Sequence, residues 1–208
     1  MRVLILLALL LAPAHAHETS EERIRVLILT QDNDATVVYL RQPAALLFAK
    51  EAARRTGPSA TITSTFFHPK GPAHRFDRTA IAAAPDSFAT RILATIHLEA
   101  EPGSTEPKVL KSALHHVTAL GTFNAPAEAE AALNTAAGQG APHVASAYVD
   151  AKITAPDTGD LTLHFPLDAI AFPGHVHLHT AIVDARFDPP TRRVVLGPIT
   201  RPIALSAP

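Results

Sequence analysis

Cysteine is absent from all 208 residues of this chain, and tryptophan is absent as well. Without thiols the fold has no disulfide, no thiolate metal site, no cysteine nucleophile and no cysteine for lipid anchoring. Tyrosine occurs only twice, which argues against an aromatic platform for stacking sugars. The stability of the fold must therefore come from burial.

An excess of either charge is also lacking, because 18 basic residues face 19 acidic ones and the net charge is −1. No basic block could bind phosphate backbones, so nucleic acid is not expected as a partner. The Gly-x-Ser-x-Gly, phosphate-loop and His-Glu-x-x-His motifs are missing from the sequence. The common hydrolase and nucleotide-binding signatures therefore give no support for those activities.

The amino end has the layout of a secretory signal peptide. Met1 and Arg2 form a short positive segment, residues 3–11 are an unbroken apolar run, and Ala14-His15-Ala16 has the small-x-small form that signal peptidase reads. No later window approaches about eighteen consecutive apolar residues. We therefore expect residues 1–16 to be removed and residues 17–208 to be exported, periplasmic or secreted, as a soluble protein.

Alternating apolar residues and regular turn signals dominate the rest of the chain. They predict strands at residues 22–30, 36–41, 61–67, 97–100, 108–120, 143–154, 160–165, 175–187, 193–196 and 199–205. Helices are predicted at 44–55, from residue 85, and at 126–133. Because short turns separate the later strands, we expect a mainly β, antiparallel β-sandwich-like fold with two or three short inserted helices. The glycine-rich break at 138–142 fits a domain boundary and a long loop equally well.

Histidine occurs 12 times and is the residue type that suggests a functional site. Period two places His175, His177 and His179 on one face of the predicted strand and Val176 and Leu178 on the other. Neighbouring side chains are about 6.6 Å apart and the outer pair about 13 Å, whereas ligand nitrogens lie about 2 Å from Zn²⁺. One ion would therefore take His177 with one of its neighbours, plus a ligand from another strand.

The favoured ligand for these histidines is a transition metal ion, namely copper, nickel or zinc. The same pattern also fits imidazoles that only decorate a solvated sheet face, pair with an acidic partner or respond to pH. His115 and His116 are adjacent, so they point to opposite faces of a strand and at most one of them could join a site.

Cleavage after Ala16 would make His17 the first residue. A terminal amine and the ring of the same histidine can chelate one copper ion, which a second histidine completes in a T shape. At His17-Glu18 the chain resembles copper proteins of the histidine-brace type, which include oxidative polysaccharide monooxygenases and small copper carriers. That one-residue resemblance implies His17 as a copper ligand.

The Ala-His-Ala-His17-Glu18 junction and the β-rich segment after it also resemble the extracytoplasmic amino-terminal part of bacterial membrane proteins of the HupE/UreJ type. Those proteins are associated with the uptake of nickel or other metals. The resemblance covers the amino end only, and the several membrane spans that define the family are missing from this sequence. It implies a stand-alone exported relative, to which no transport activity is carried over.

Together these patterns predict a periplasmic binding protein that holds a transition metal ion through His175, His177, His179 and His17 and catalyses no reaction. An alternative is a structural or adaptor domain that presents an interaction surface to an envelope or membrane protein, with its histidines solvated. Copper-dependent oxidation through a brace at His17 is the enzyme alternative.

Overall fold

The computed structural model of this chain describes residues 21–32, 35–53, 64–67, 74–99, 106–135, 141–155, 160–168 and 176–206. At residues 21, 22, 52, 53, 176 and 177 it describes the backbone alone. The expected signal peptide, His17, His175 and residues 138–140 of the glycine-rich break lie outside the described residues.

The strands of the described residues are β1 (Glu21–Asp32), β2 (Ala35–Pro43), β3 (His97–Glu99), β4 (Lys108–His116), β5 (Ala147–Thr154), β6 (Leu161–His164), β7 (Val176–Asp184), β8 (Thr191–Val195) and β9 (Ile203–Leu205). The α-helices are α1 (Ala49–Ala53), α2 (Arg78–Ala83), α3 (Pro85–Leu93) and α4 (Pro126–Asn134). Short 3-10 helices span Ala44–Phe48, Val117–Ala119 and Val144–Ser146. None of the described helices is long and apolar enough to cross a membrane.

These strands form two sheets. The larger sheet has six strands in the order β4-β5-β2-β1-β7-β8, and the smaller has three in the order β3-β6-β9. The mainly β, sandwich-like fold predicted from the sequence is thereby confirmed. One pair, β1 with β7, is parallel. Short turns favour antiparallel pairing only between strands that follow each other directly in the chain. Because β1 and β7 are far apart in the chain, turn length does not determine the direction in which they pair.

The main core lies between the two sheets. The large sheet contributes apolar residues that alternate along its strands. Helix α3 and the small sheet pack against these residues from the other side. In α3, Phe88 and Ile92 are buried at helical spacing, and Pro85 occupies the first turn, where its missing N–H costs nothing. The helix predicted from residue 85 is therefore confirmed, and so is that of residues 126–133, which is α4.

A second, smaller core lies on the other face of the large sheet, which we call the outer face. There α4 packs Ala129, Ala132 and Leu133 against Ile28 and neighbouring side chains of β2 and β7.

The strand predicted at residues 61–67 is not a strand in its described part. Residues 64–67 form a turn that ends in an isolated bridge from Phe67 to Phe76.

The register of β7 confirms the predicted alternation at residues 178–182. Leu178, Thr180 and Ile182 are buried on the core face. His179 pairs with Ile24 of β1, and Ile24 is 51 % exposed. The histidine face of β7 is therefore the outer face, in a part of the sheet that is open to solvent beside Ile24.

Candidate metal-binding histidines

The structure supports the strand geometry on which the β7 histidines depend. His177 and His179 both belong to β7, two residues apart. In the parallel register His177 pairs with Glu22 and His179 with Ile24. The backbone therefore brings an acidic residue on the neighbouring strand next to His177.

His179 is the β7 histidine whose side chain the structure describes. It is half-buried, and its Nδ1 atom is shielded from solvent and has no hydrogen-bond partner in the described part of the chain. A buried polar atom without a partner costs about 1–3 kcal/mol. The imidazole of His179 thus has a nitrogen available for a ligand.

A second pair of histidines occurs on the small sheet, where sequence reasoning did not look for one. His97 of β3 lies directly opposite His164 of β6. The Nε2 atom of His164 is 2.8 Å from Oε2 of Glu99, two residues beyond His97 on the same strand. These side chains line a cavity of about 280 Å³ whose other walls include Phe165, Ile199 and Arg201.

A third polar cluster lies on the outer face of the large sheet. Arg41 of β2 donates from Nε and Nη2 to the two carboxylate oxygens of Asp150 on β5, at 2.8 and 2.7 Å. The same guanidinium donates to the carbonyl of Gly121 at 2.6 Å and lies 4.3 Å from the ring centre of Phe123. His115 of β4 completes the cluster, with Nε2 3.3 Å from Oδ2 of Asp150.

His115 is held in its neutral form by this environment. Burial lowers the pKa of His115 from its ordinary 6.5, and the charges of Arg41 and Arg78 lower it further, while the carboxylate of Asp150 acts in the opposite direction. Arg41 and His115 also line a cavity of about 240 Å³ with Glu128 and Thr122. Because Arg41 already occupies both oxygens of Asp150, the arrangement ties three strands together, and we assign it no catalytic step.

Two of these clusters were not predicted from the sequence. The His97–His164 pair joins residues from strands far apart in the chain, and only the register of the small sheet makes them neighbours. Asp150 stands between Val149 and Ala151 in an apolar strand. A charged residue at such a position is a signal for a buried ion pair, because burial of an isolated carboxylate is costly.

Within the described ranges, no group of three or more His, Asp or Glu side chains is arranged to hold a metal ion. His17, His175 and the side chain of His177 are outside that finding. No protein-family model matches the chain, and no curated protein matches it either.

Proposed function

We propose that this chain is an exported binding protein that holds a transition metal ion on the outer face of β7. The ligands are the imidazole of His177 with that of His175 or His179. The observation that carries the proposal is the Nδ1 atom of His179, which is shielded from solvent and lacks a partner among the described residues. A bound cation would give this nitrogen the interaction that the described residues leave unmade.

The strand register supports the proposal by supplying a candidate for the third ligand. A site on β7 needs a donor from another strand, and Glu22 is the residue of β1 paired with His177. Carboxylate oxygens bind Zn²⁺ and Cu²⁺ together with imidazole. Ile24, the pairing partner of His179, would shield the other side of the ion from water.

The choice among metals follows from the ligand set. For nitrogen and oxygen ligands, divalent affinity rises from nickel to copper and falls again at zinc. We therefore propose copper(II) as the ion bound most tightly, with nickel and zinc weaker. Export is part of the proposal and rests on the leader-like residues 1–16. Their removal would place His17 at the terminus as a further copper ligand.

The test is metal analysis and titration calorimetry on the protein with its processed terminus at His17. We expect the double variant His177→Ala, His179→Ala to lose one copper equivalent per chain. The variant His116→Ala is the matched control, because His116 is an exposed imidazole on β4, away from β7. Equal copper content in wild type and double variant would overturn the proposal.

A methionine placed before His17 tests the terminal ligand separately, because His17 then no longer carries the free terminal amine that a histidine brace needs.

An interaction surface is the second candidate function, and exposed apolar side chains favour it. Val194 and Leu196 are 65 % and 75 % exposed, in and just after β8, which ends the order of the large sheet among the described strands. Together with Ile24 they leave apolar area on and beside the outer face. An adaptor for an envelope or membrane protein would use this surface, and it predicts a metal-free protein whose His177→Ala variant behaves like wild type.

A further inference from the structure

His97 and His164 face the same side of the small sheet from directly opposite positions on antiparallel strands. At such positions the Cβ atoms are about 4.5–5.5 Å apart, so two imidazole rings can reach one ion between them. We propose that this pair is a second transition-metal site, separate from that of β7. It depends on side chains that the structure describes.

Glu99 sets the orientation of one of the two rings. Its ionised carboxylate can only accept hydrogen bonds, so Nε2 of His164, 2.8 Å away, must donate its proton. In the neutral imidazole this leaves Nδ1 with the lone pair that a metal ion requires. A carboxylate behind a histidine ligand is the usual outer-shell arrangement, and it fixes the tautomer and makes the ring more basic.

The cavity beside the pair leaves room for the rest of the coordination sphere. It measures about 280 Å³, enough for several waters at about 30 Å³ each. The charged residues in its wall are Glu99 and Arg201, whose opposite charges leave little net repulsion for a cation. With two protein ligands and water in the other positions, the site is compatible with the lack of a three-residue donor group in the described ranges.

The composition of the site determines which ion it takes. Two neutral imidazoles with water favour copper(II) over nickel and zinc.

The experiment is a titration of the processed protein with copper(II) chloride, followed by calorimetry and by electron paramagnetic resonance of the bound copper. We expect His97→Gln to remove one copper equivalent per chain, together with a signal from two nitrogen ligands. His97 is exposed, so this variant should keep its fold, which its unfolding midpoint checks. His116→Gln is the matched control and should bind as many equivalents as wild type.

Glu99→Gln tests the positioning role of the carboxylate. An amide can accept from Nε2 of His164 but lacks the charge that makes the ring basic, so we expect copper to bind with a Kd raised about tenfold. Unchanged copper stoichiometry in His97→Gln would overturn this proposal. The two proposals fail independently: the β7 double variant reports on the first site, and His97→Gln on the second.

Discussion

The guanidinium of Arg25 and the carboxylate of Asp168 form a two-point ion pair in the interior, at 2.6 and 3.0 Å, although 143 positions separate them in the chain. Neither side chain is exposed to solvent. The Arg25 guanidinium lies 4.2 Å from the ring centre of Phe165, and the backbone N–H of Ile199 donates to Asp168 at 3.0 Å. This pair ties β1 to the segment between β6 and β7 and to the chain before β9.

Removing one partner of this pair should destabilise the fold strongly. Asp168→Ala leaves the Arg25 guanidinium buried without its counter-charge, and we expect the free energy of unfolding to fall by about 3–5 kcal/mol. Replacing both residues with apolar ones, Arg25→Met with Asp168→Leu, should cost less than that single change, because no charge is then left unpaired. Urea unfolding of wild type, Asp168→Ala, the single variants Arg25→Met and Asp168→Leu, and their double variant measures this. A double variant that loses the full sum of both single losses would contradict the account.

His115 should make stability depend on pH. Burial holds its folded pKa below the ordinary 6.5, so between these two values the unfolded chain binds more protons than the folded one. Stability should therefore fall as the pH is lowered through about 6.5. His115→Gln removes this contribution, and its free energy of unfolding should change less than that of wild type between pH 7 and pH 5. Parallel pH profiles for the two proteins would refute the assignment.

Glu130 provides a weaker pH effect of the same sign at lower pH. Hydrogen bonds from Lys152, first, and from Tyr39 lower the pKa of Glu130 below its ordinary 4.5. The stabilisation is therefore present above pH 4.5 and is lost as the pH falls through the folded pKa. Since Glu130 is 37 % exposed, solvent screens the pair, and we expect Glu130→Gln to cost at most about 1 kcal/mol at pH 7. Chemical denaturation at pH 7 and pH 3 should show that the difference shrinks at the lower value.

The packing of α3 against the main core predicts a graded pair of mutations. Phe88 is 2 % exposed and contacts Phe66 edge-on, with ring centres 5.4 Å apart. Phe88→Ala should lower the free energy of unfolding by about 3–5 kcal/mol, because it opens a cavity in a closely packed region. Ser87→Ala, one residue away on the exposed side of the helix, should change it by less than about 0.5 kcal/mol. Thermal and urea unfolding check both values.

The local periodicity of the sequence was enough to predict most of the helices and strands. Helices α3 and α4 begin at prolines after loop residues, and β1, β2, β5, β6 and β7 follow from alternation or from apolar runs. The strand at residues 61–67 was predicted from β-branched and aromatic content. Its phenylalanines instead contact Phe48, Phe76 and Phe88 as a turn in the core. Tertiary packing of the rings decided that conformation, and propensity could not reveal it.

Charged positions were the harder part to predict. Arg25 stands on the core face of β1 with Leu27 and Leu29, and a pattern of alternating polarity would place it in solvent. Its burial depends on Asp168, more than a hundred residues away. In the same way, His97 and His164 become neighbours only through the β3–β6 register. By contrast, His177 and His179 stand out in the sequence because both lie within one strand, two residues apart.

Anomalous diffraction at the copper absorption edge, from crystals of the processed protein grown with copper(II), tests the central proposal most directly. We expect an anomalous peak on the outer face of β7, bridging His177 and either His175 or His179, and its disappearance in the His177→Ala, His179→Ala protein. Copper found elsewhere in the crystal, with no peak at β7, would contradict it.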